Sequence, residues 1–492
     1  MKPVLITGAT GYIGGRVIPQ LLSKGYSVRC LARDPSKLLG RGWDGRVEVA
    51  TGDVVEGYGL ADALSGCGSA YYLVHAMAAG EKGFRERDRI GAMNFAKAAS
   101  VAGLERIIYL GGLGKRSDIL SDHLDSRHEV GDVLREGSVP VTELRAAMIL
   151  GSGSASFEMM RSLVERLPVM ICPRWVKTRS QPIAVRNVLS YLIGCLETPA
   201  TTGRTYDIGG PDILTYREMM LRFARILGLR RWIIDVPVLT PRLSAHWVNL
   251  MTPVPAGLAY PLIEGLRSET ICENDWIRQL IPLDLIGFDK AVELAMERIR
   301  LNDVQTRWTN ASLPKHPSQV LFDRDRFPIR DQQKVVVNSS ASELFTSIRR
   351  VGGKGGWYYA NSLWRVRGAM DRMIGGVGLR RGRRDPEHIL IGDALDFWRV
   401  RDFVDGSRLL LHAEMKVPGD AWLEFAVQSL GEGRSELSQT AYFRPKPFWG
   451  QLYWYALYPL HWFIFRGMAR NIARSAELRA AKQNTPAPLP GT

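Results

Sequence analysis

Three evenly spaced glycines lie near the start of the chain, in the segment TGATGYIGG that follows a short apolar run. Gly8 permits a tight turn with positive φ, Gly11 lets a pyrophosphate approach the backbone, and Gly14 lets the next helix pack against the strand. The exposed amides at the start of that helix, together with its dipole, can bind phosphate groups. The segment therefore predicts a dinucleotide-binding loop, and the alternative is a glycine-rich turn that binds no ligand.

The segment VRCLARDPSK, around the second apolar run, bears on the choice of dinucleotide. An NAD-dependent enzyme usually has an acidic residue here that holds the ribose 2′-hydroxyl. In this chain Arg33 occupies the region and Lys37 follows one turn later, and two cations suit the charge of a 2′-phosphate. Asp34, an acidic residue next to Arg33, makes the distinction between NAD(H) and NADP(H) less clear. The simpler alternative for Arg33 is a solvated cation in a loop, without a role in cofactor binding. The sequence favours NADP(H) over NAD(H) as the cofactor.

The elements that must position these residues alternate along the first 230 residues. Strand-like runs such as PVLITGA, YSVRCLAR and RIIYLGGL are separated by helical patterns. Strands that alternate with helices imply βαβ units and a doubly wound parallel sheet, which is an α/β fold. From about Thr215 to Leu301 the pattern becomes mainly helical and predicts a helical cap at the open end of the sheet. We expect this domain to span residues 1–305.

The chain resembles the short-chain dehydrogenase/reductase superfamily, in its extended and atypical NmrA-like branches. The resemblance rests on TGATGYIG with its GxxGxxG spacing, RDPSK after the second strand, GDV after the third and YYLVHAM at the end of the fourth. The segments IAVRNV and TYDIGGPDILTYREM stand where this family has its late conserved elements. The resemblance covers roughly residues 1–300 and implies an NAD(P)-binding Rossmann domain.

The same resemblance implies which residues contact the cofactor. Asp53 and Val54 would flank the adenine, and Val74, His75 and Ala76 would line the nicotinamide ribose. With the glycine loop and the two cations, the implied cofactor-binding residues are Gly8, Thr10, Gly11, Tyr12, Ile13, Gly14, Arg33, Lys37, Asp53, Val54, Val74, His75 and Ala76.

Active members of the superfamily pass a proton through a Tyr-x-x-x-Lys pair while hydride moves. In the matching segment, SDHLDSRHEVGDVL, His123 stands for the tyrosine and Arg127 for the lysine. The fifth strand ends with Gly111 and Gly112, where an assisting serine is expected. Arginine stays charged but can hold a ribose hydroxyl, and histidine can act as an acid or base near neutral pH. A histidine-based reductase and an exposed histidine in a polar loop both remain open.

The second half of the chain has a different pattern. Residues 306–333 mix proline with polar residues and predict a linker, and residues 479–492 predict a disordered tail. Between them, residues 334–478 contain long antiparallel strand patterns and a long apolar C-terminal helix, which indicate an α+β helix-grip domain with a cavity for an apolar ligand. GGVGLRRGRR, GDALDFWRV and YWYALYPLHWFIF resemble the START-like domain of unknown function that follows NmrA-like reductase domains in many bacterial proteins.

Two stretches of this second half bear on partners. The segment FWGQLYWYALYPLHWFIFRGM, interrupted by Pro459 and His461, is too short and too broken for a membrane span, so a buried core helix is favoured over interfacial membrane contact. In residues 352–388, aromatic residues precede a run of arginines. A core aromatic patch followed by a solvated basic loop is favoured there, so no nucleic acid is expected.

Composition sets wider bounds. The net charge of +15 favours acidic partners such as phosphorylated cofactors, nucleic acid or anionic lipid. The five cysteines are scattered without a CxxC pair, so neither a zinc site nor a disulfide framework is predicted, and a reducing cytoplasm is the simplest location. The N-terminal apolar run is too short for a signal peptide.

Three functions fit these observations. The first is an atypical NADP(H)-dependent reductase of an apolar quinone, isoprenoid or lipid. The second is a non-catalytic dinucleotide-binding redox sensor or complex-stabilising subunit, which the missing Tyr-x-x-x-Lys pair favours. The third is a lipid-binding module at a membrane surface with a vestigial cofactor fold, which the intact glycine loop disfavours.

Overall fold

The computed structural model describes residues 2–39, 41–75, 83–114, 121–236, 248, 252, 256–301, 306, 324, 327–374, 376–378, 383, 387–446 and 448–483. The chain divides into two compact units, residues 1–314 and residues 315–492. Most of the predicted linker and most of the predicted C-terminal tail lie outside the described residues.

The strands of the first unit are β1 (Val4–Thr7), β2 (Val28–Ala32), β3 (Glu48–Thr51), β4 (Ser69–Tyr72), β5 (Arg106–Gly112), β6 (Val141–Ala146), β7 (Ile149–Leu150), β8 (Val169–Pro173), β9 (Arg179–Ser180), β10 (Ile183–Ala184), β11 (Thr205–Ile208), β12 (Leu214–Thr215) and β13 (Trp232–Val236). Its helices are α1 (Gly14–Ser23), α2 (Leu60–Leu64), α3 (Phe84–Val101), α4 (Asp122–Arg135), α5 (Ala155–Arg166), α6 (Val185–Glu197), α7 (Tyr216–Ile226), α8 (Ala256–Gly265), α9 (Trp276–Leu280) and α10 (Phe288–Arg300).

Seven of these strands form one parallel sheet in the order β11-β6-β5-β4-β1-β2-β3. Helices cover both of its faces, so its strands are nearly continuous apolar runs, and all four residues of β1 are buried. On one face Val17 of α1 and Leu192 of α6 pack in a cluster with Ile6. On the other face Phe95 of α3 and Leu134 of α4 pack in a cluster with Leu5. The predicted doubly wound parallel sheet is confirmed.

A third apolar cluster of the first unit joins α5, α7 and α10, through residues such as Phe157, Phe223 and Val292. These helices fall partly in the stretch predicted as a helical cap. The helical pattern of this stretch did not predict the strand β13, which pairs in parallel with β8. Residues 237–247, 249–251 and 253–255 of the predicted cap lie outside the described residues.

The second unit contains a six-stranded antiparallel sheet in the order β14-β19-β18-β17-β16-β15. Its first strand begins at Ile329, inside the predicted linker, because the alternating segment IRDQQKVVV pairs along its whole length with the last strand. The strands are β14 (Ile329–Val337), β15 (Ala394–Leu395), β16 (Trp398–Val404), β17 (Arg408–Ala413), β18 (Gly419–Gly431) and β19 (Arg434–Pro445). The helices are α11 (Ala341–Arg349), α12 (Asn361–Met373) and α13 (Trp449–Gln483).

The core of this unit lies between the sheet and the C-terminal half of α13. Met468 and Ile472 of that helix are fully buried in a cluster with Val337 and Leu437. Trp357 and Trp364 belong to the same cluster, so the aromatic patch predicted as core is core.

The prediction of a buried core helix is wrong for the N-terminal half of α13. Trp449, Tyr455 and Phe463 are 68%, 69% and 50% exposed. The sequence is apolar on nearly every side of this half, but only the stripe that includes Trp454 is turned toward the sheet.

Candidate functional site

The glycine loop connects β1 to α1 at the carboxyl edge of the parallel sheet. Gly8 has a φ of +70°, and a Cβ there would lie 2.5 Å from the Leu73 carbonyl oxygen. A Cβ on Gly14 would collide with the Gly8 carbonyl oxygen, and one on Gly11 would lie 3.0 Å from that oxygen. The Gly11 amide donates to the same oxygen at 2.8 Å and closes the turn. The tight turn and the close helix packing predicted for these glycines are therefore present.

The start of α1 adjoins this loop. Ile13 is the residue that precedes the helix, and among the described residues no side chain caps it. The Gly15 and Arg16 amides donate to the Gly11 and Ile13 carbonyls at 3.1 and 2.9 Å, and the dipole of a helix start without a side-chain cap favours an anionic group. Thr10 and Tyr12 are partly exposed in the loop itself.

Tyr12 is the tyrosine of the loop, but its hydroxyl is unsuited to replace the missing proton donor. Arg16 lies over its ring at 4.6 Å and donates to the Ser152 carbonyl at 2.7 Å and to the Thr306 hydroxyl at 2.8 Å. Thr306 in turn donates to the Tyr12 carbonyl at 2.9 Å. Burial raises the pKa of Tyr12 to about 12, so its phenol is a weaker acid than that of an ordinary tyrosine, whereas a proton-donating tyrosine needs a lowered pKa.

The two predicted phosphate-binding cations differ in their surroundings. The Arg33 side chain is 48% exposed and lies 3.7 Å from the Asp53 carboxylate, whereas Lys37 is buried. One carboxylate oxygen of Asp34, Oδ1, accepts from the Ser36 amide and hydroxyl at 3.1 and 2.6 Å. Arg41, which the sequence reading missed, reaches the start of α1, where a Cβ on Gly15 would lie 3.1 Å from its guanidinium.

The residues predicted around the adenine follow β3. Asp53 accepts from the Val55 amide at 2.7 Å, which fixes the turn after the strand. Val54 is buried, and its carbonyl accepts from the Asn94 side chain at 2.9 Å. These bonds tie the turn to α3, so both residues have a fixed place at the carboxyl edge of the sheet.

His75 follows β4 and comes next to the glycine loop. Thr7 connects the two strand ends, because its hydroxyl donates to the Tyr71 carbonyl and accepts from the Leu73 amide. The His75 Nδ1 atom lies 3.0 Å from a carboxylate oxygen of Asp88 on α3. Val74 is partly exposed beside it, and Ala76 lies outside the described residues.

His123 lies in a helix, which contradicts the alternative of an exposed histidine in a polar loop. The pattern of HEVGDVLREGSV predicts a helix that begins at His128, whereas α4 begins at Asp122. Ser121 caps it by accepting from the Leu124 amide at 3.3 Å, and Asp122 and Asp125 in the first turn suit the helix dipole. His123 and Arg127 are therefore one turn apart on one side of α4.

The two histidines come together at this edge. Their ring centres are 5.0 Å apart, and the His75 Nε2 and His123 Nδ1 atoms are buried with no hydrogen-bond partner among the described residues. Burial lowers the pKa of His75, against the effect of Asp88. Burial also lowers the pKa of His123 well below its usual range, and His75 and the Arg127 charge add to this. Both imidazoles are therefore neutral at neutral pH.

Arg127 is held by β5 as well as by its own helix. Its guanidinium donates to the Leu110 carbonyl and lies over the Tyr109 ring at 4.9 Å. The Tyr109 hydroxyl donates to the Arg127 carbonyl at 2.8 Å. Gly112 leaves room for this helix, since a Cβ there would lie 2.9 Å from Leu124. One guanidinium nitrogen, Nη1, is buried and unpartnered within the described part of the chain.

Asp88 and Ser126 were not predicted. Asp88 is 4% exposed and approaches both His75 and the Ser126 hydroxyl, the latter at 3.5 Å. A signal was present, because Asp88 lies on the same helical stripe as the small or apolar Gly91, Ala92 and Phe95. An acidic residue on an otherwise buried stripe indicates a partner inside the fold.

Residues 8–159 match the family model described as NAD(P)H-binding. The first unit therefore has a Rossmann-like parallel sheet and contains a segment similar to NAD(P)H-binding domains. Residues 324–468 match a second family model, described as a protein of unknown function, DUF2867. The START-like character of this second unit stays a prediction.

Two reductases are similar in sequence to the chain. It is 28% identical over 288 residues to ceramide reductase of Caulobacter vibrioides, a match that covers 57% of this chain and 87% of the relative. It is 26% identical over 232 residues to (4-alkanoyl-5-oxo-2,5-dihydrofuran-3-yl)methyl phosphate reductase of Streptomyces griseus, with 46% and 74% covered. A solved structure, the NADPH-dependent quinone oxidoreductase QOR2 of Escherichia coli, gives a TM-score of 0.48 at 18% identity and covers 59% of this chain and 98% of its own.

Proposed function

We propose that the protein is an NAD(P)H-dependent reductase, with NADPH preferred, that reduces a carbonyl group of an apolar lipid-like or quinone-like substrate. One observation carries the proposal: His75, His123 and Arg127 lie close to the carboxyl edge of the sheet, and each has a buried nitrogen with no hydrogen-bond partner among the described residues. Unpartnered buried nitrogens are costly, so a bound group that pairs with them would be favoured. The two reductases among the relatives support the reaction class, and ceramide reductase supports an apolar substrate.

The cofactor-binding part of the proposal uses the residues already described. The glycine loop and the start of α1 would hold the pyrophosphate. Arg33, half-exposed beside β2, would pair with a 2′-phosphate, while one oxygen of the Asp34 carboxylate is held by Ser36. When bound, the nicotinamide supplies the hydride that adds to the carbonyl carbon.

The chain's own residues would then protonate the carbonyl oxygen of the substrate and stabilise its negative charge. In its imidazolium form, His123 would donate a proton to the carbonyl oxygen; this leaves the neutral imidazole, which regains a proton from solvent after product release. Arg127 would stabilise the negative charge that develops on this oxygen. Asp88 would accept from Nδ1–H of His75 and so hold that ring in place. The His75 ring, whose centre is 5.0 Å from that of His123, would thereby limit the orientations of the reacting imidazole.

A non-catalytic dinucleotide-binding protein is the second candidate. It is favoured by the position of Arg127, whose guanidinium is already engaged by the Leu110 carbonyl and the Tyr109 ring. An arginine held in this way would support the fold of α4 and hold a cofactor without taking part in a reaction.

Two measurements separate the candidates. Energy transfer from tryptophan to NADPH or NADH measures binding, and NADPH oxidation with a panel of long-chain ketones, aldehydes and quinones measures turnover. We expect the His123→Asn variant to bind NADPH normally and lose turnover, while the Asp122→Asn control, a change at an exposed residue of the same helical turn, keeps it. Tight NADPH binding without turnover on any member of the panel would favour the non-catalytic candidate.

A further inference from the structure

The N-terminal half of α13 presents a large apolar surface that no described part of the chain covers. Its exposed side chains, which we call the aromatic face, are Trp449, Leu452, Tyr455, Tyr458, Trp462 and Phe463. They are 41–69% exposed. At 1.5 Å per residue this face extends over about 21 Å of helix. Exposed apolar surfaces of this extent mark an interaction site.

The outward side of α13 changes from apolar to basic along the length of the helix. After Phe463 the helix packs on the sheet, and its outward positions become basic with Arg470 and Arg474, both exposed. Arg466 lies at the boundary, 4.8 Å from the centre of the Trp462 ring. The aromatic face therefore passes directly into a row of arginines.

A second helix of the same unit adds to this surface. Val366, Met370 and Met373 lie along one side of α12 and are 57%, 52% and 74% exposed. The segment that leads into α12 contacts α13, since the rings of Tyr359 and Phe463 are 5.3 Å apart. The apolar side chains of α12 thus belong to the same unit as the aromatic face and begin beside it.

The two helices, α12 and α13, carry a large excess of basic residues. They contain eight basic residues and two acidic ones: Arg365, Arg367, Arg372, Arg466, Arg470, Arg474, Arg479 and Lys482 against Asp371 and Glu477. Both acids are engaged within the unit. Asp371 is buried and accepts from the Gly378 and Lys416 amides, and Glu477 accepts from the Asn338 amide. The partner of this surface must therefore be apolar in part and negatively charged in part.

From these observations we infer that the aromatic face, with the arginines behind it, docks the protein on the surface of a bilayer that contains anionic phospholipids. Tryptophan and tyrosine side chains favour the headgroup region, because their rings are apolar and their polar atoms stay hydrated. Arginines that flank such a face pair with lipid phosphates and strengthen binding to an anionic surface. Within the described part of the chain, no helix is long and apolar enough to cross a membrane, so the contact lies on one leaflet.

A second copy of the chain is a poorer occupant, because it would bring the same arginines together. Two apposed rows of like charge repel each other, and no described acidic side chain on α12 or α13 is free to compensate for them. An anionic bilayer satisfies both halves of the surface at once.

Flotation of the full chain with lipid vesicles tests the inference. Vesicles of phosphatidylcholine with about one quarter phosphatidylglycerol are compared with vesicles of phosphatidylcholine alone. We expect the protein to float with the anionic vesicles at least about tenfold more than with the neutral ones, and the difference to shrink when salt is raised from about 0.15 to about 0.5 M.

Variants locate the contact. Trp449→Ser/Trp462→Ser/Phe463→Ser should lower the partition to anionic vesicles by about tenfold or more, since three interfacial rings are lost. The control is Trp232→Ser/Trp276→Ser/Leu301→Ser, which removes side chains that are 72%, 61% and 70% exposed in the first unit and should float like the wild type. Arg470→Glu/Arg474→Glu keeps every aromatic residue, and it should also weaken binding to the anionic vesicles.

The inference would be overturned if the wild-type protein did not float with anionic vesicles at low salt. It would also be overturned if the first-unit control lost as much vesicle binding as the aromatic variant, or if the aromatic variant and the arginine variant both kept their vesicle binding. A dimer in light scattering that the aromatic variant dissolves, without vesicle binding by the wild type, would assign the face to a second copy instead.

Discussion

His123 and Arg127 lie where the resemblance places the tyrosine and lysine of a proton-transferring pair, and their chemistry differs from that pair in one measurable respect. Burial, His75 and Arg127 lower the pKa of His123, so only a small fraction of the imidazole carries the proton at neutral pH. If His123 is the proton donor, that fraction limits the rate. It grows about tenfold for each pH unit of acidification until the lowered pKa is reached.

We therefore predict that the rate of a single turnover of bound NADPH rises as pH falls from 8 through 6.5, and keeps rising below 6.5, the usual pKa of histidine. Stopped-flow measurement with a substrate-free control gives this profile. A profile that is flat over this interval, or one that His123→Asn leaves unchanged, would exclude His123 as the donor.

Arg33 is the residue on which cofactor choice depends in this account. Replacing it with serine removes a charge-assisted contact to a 2′-phosphate, worth about 1.5–3 kcal/mol, or about 10- to 100-fold in affinity. We expect Arg33→Ser to weaken NADPH binding by this factor and to leave NADH binding nearly unchanged. Arg46→Ser, at an exposed arginine of the same β2–β3 segment, is the control. Equal effects on both nucleotides would contradict the assigned role.

At the scale of elements, the turn from β1 into α1 holds the site together. An alanine at position 14 would place its Cβ against the Gly8 carbonyl oxygen, so α1 would have to move away from the strand. We predict that Gly14→Ala lowers the stability of the first unit by about 1–3 kcal/mol and weakens NADPH binding. Gly45→Ala, where the added Cβ meets nothing within 4 Å, should change neither. Thermal unfolding and NADPH titration measure both effects, and a stable Gly14→Ala that binds normally would refute the packing argument.

The parallel sheet and the glycine loop were predictable because they depend on local signals, namely apolar alternation and glycine spacing. The start of α4 was missed because HLDSR is polar, although Ser121 with two acids after it is a capping signal. The meeting of His75, Asp88 and His123 depends on three elements far apart in sequence and needed the fold. The exposure of α13 could not be read from an apolar sequence, because apolar composition does not tell which side packs against the sheet.

At the scale of the molecule, the buried histidines link stability to pH. The pKa of both His75 and His123 is lowered in the folded protein, so below pH 6.5 the unfolded chain binds more protons than the folded one. Stability contributed by the neutral rings is present above pH 6.5 and is lost as pH falls toward the lowered pKa values. We predict that acidification from pH 7.5 to 5.5 lowers the unfolding midpoint less in His123→Asn than in the wild type. Parallel losses in both proteins would show that the His123 ring is not buried as described.

The most direct test of the central claim is the transfer of label from cofactor to product. NADPH deuterated at nicotinamide C4 on both faces is mixed with an excess of protein and the long-chain ketones and aldehydes of the panel, because a hydroquinone keeps no hydrogen on its former carbonyl carbons. The account predicts that wild-type protein moves deuterium onto a former carbonyl carbon, and that His123→Asn binds NADPH equally well but transfers it about 10²–10⁴-fold more slowly. Tight NADPH binding with no deuterium in any product, or equal transfer by both proteins, would contradict it.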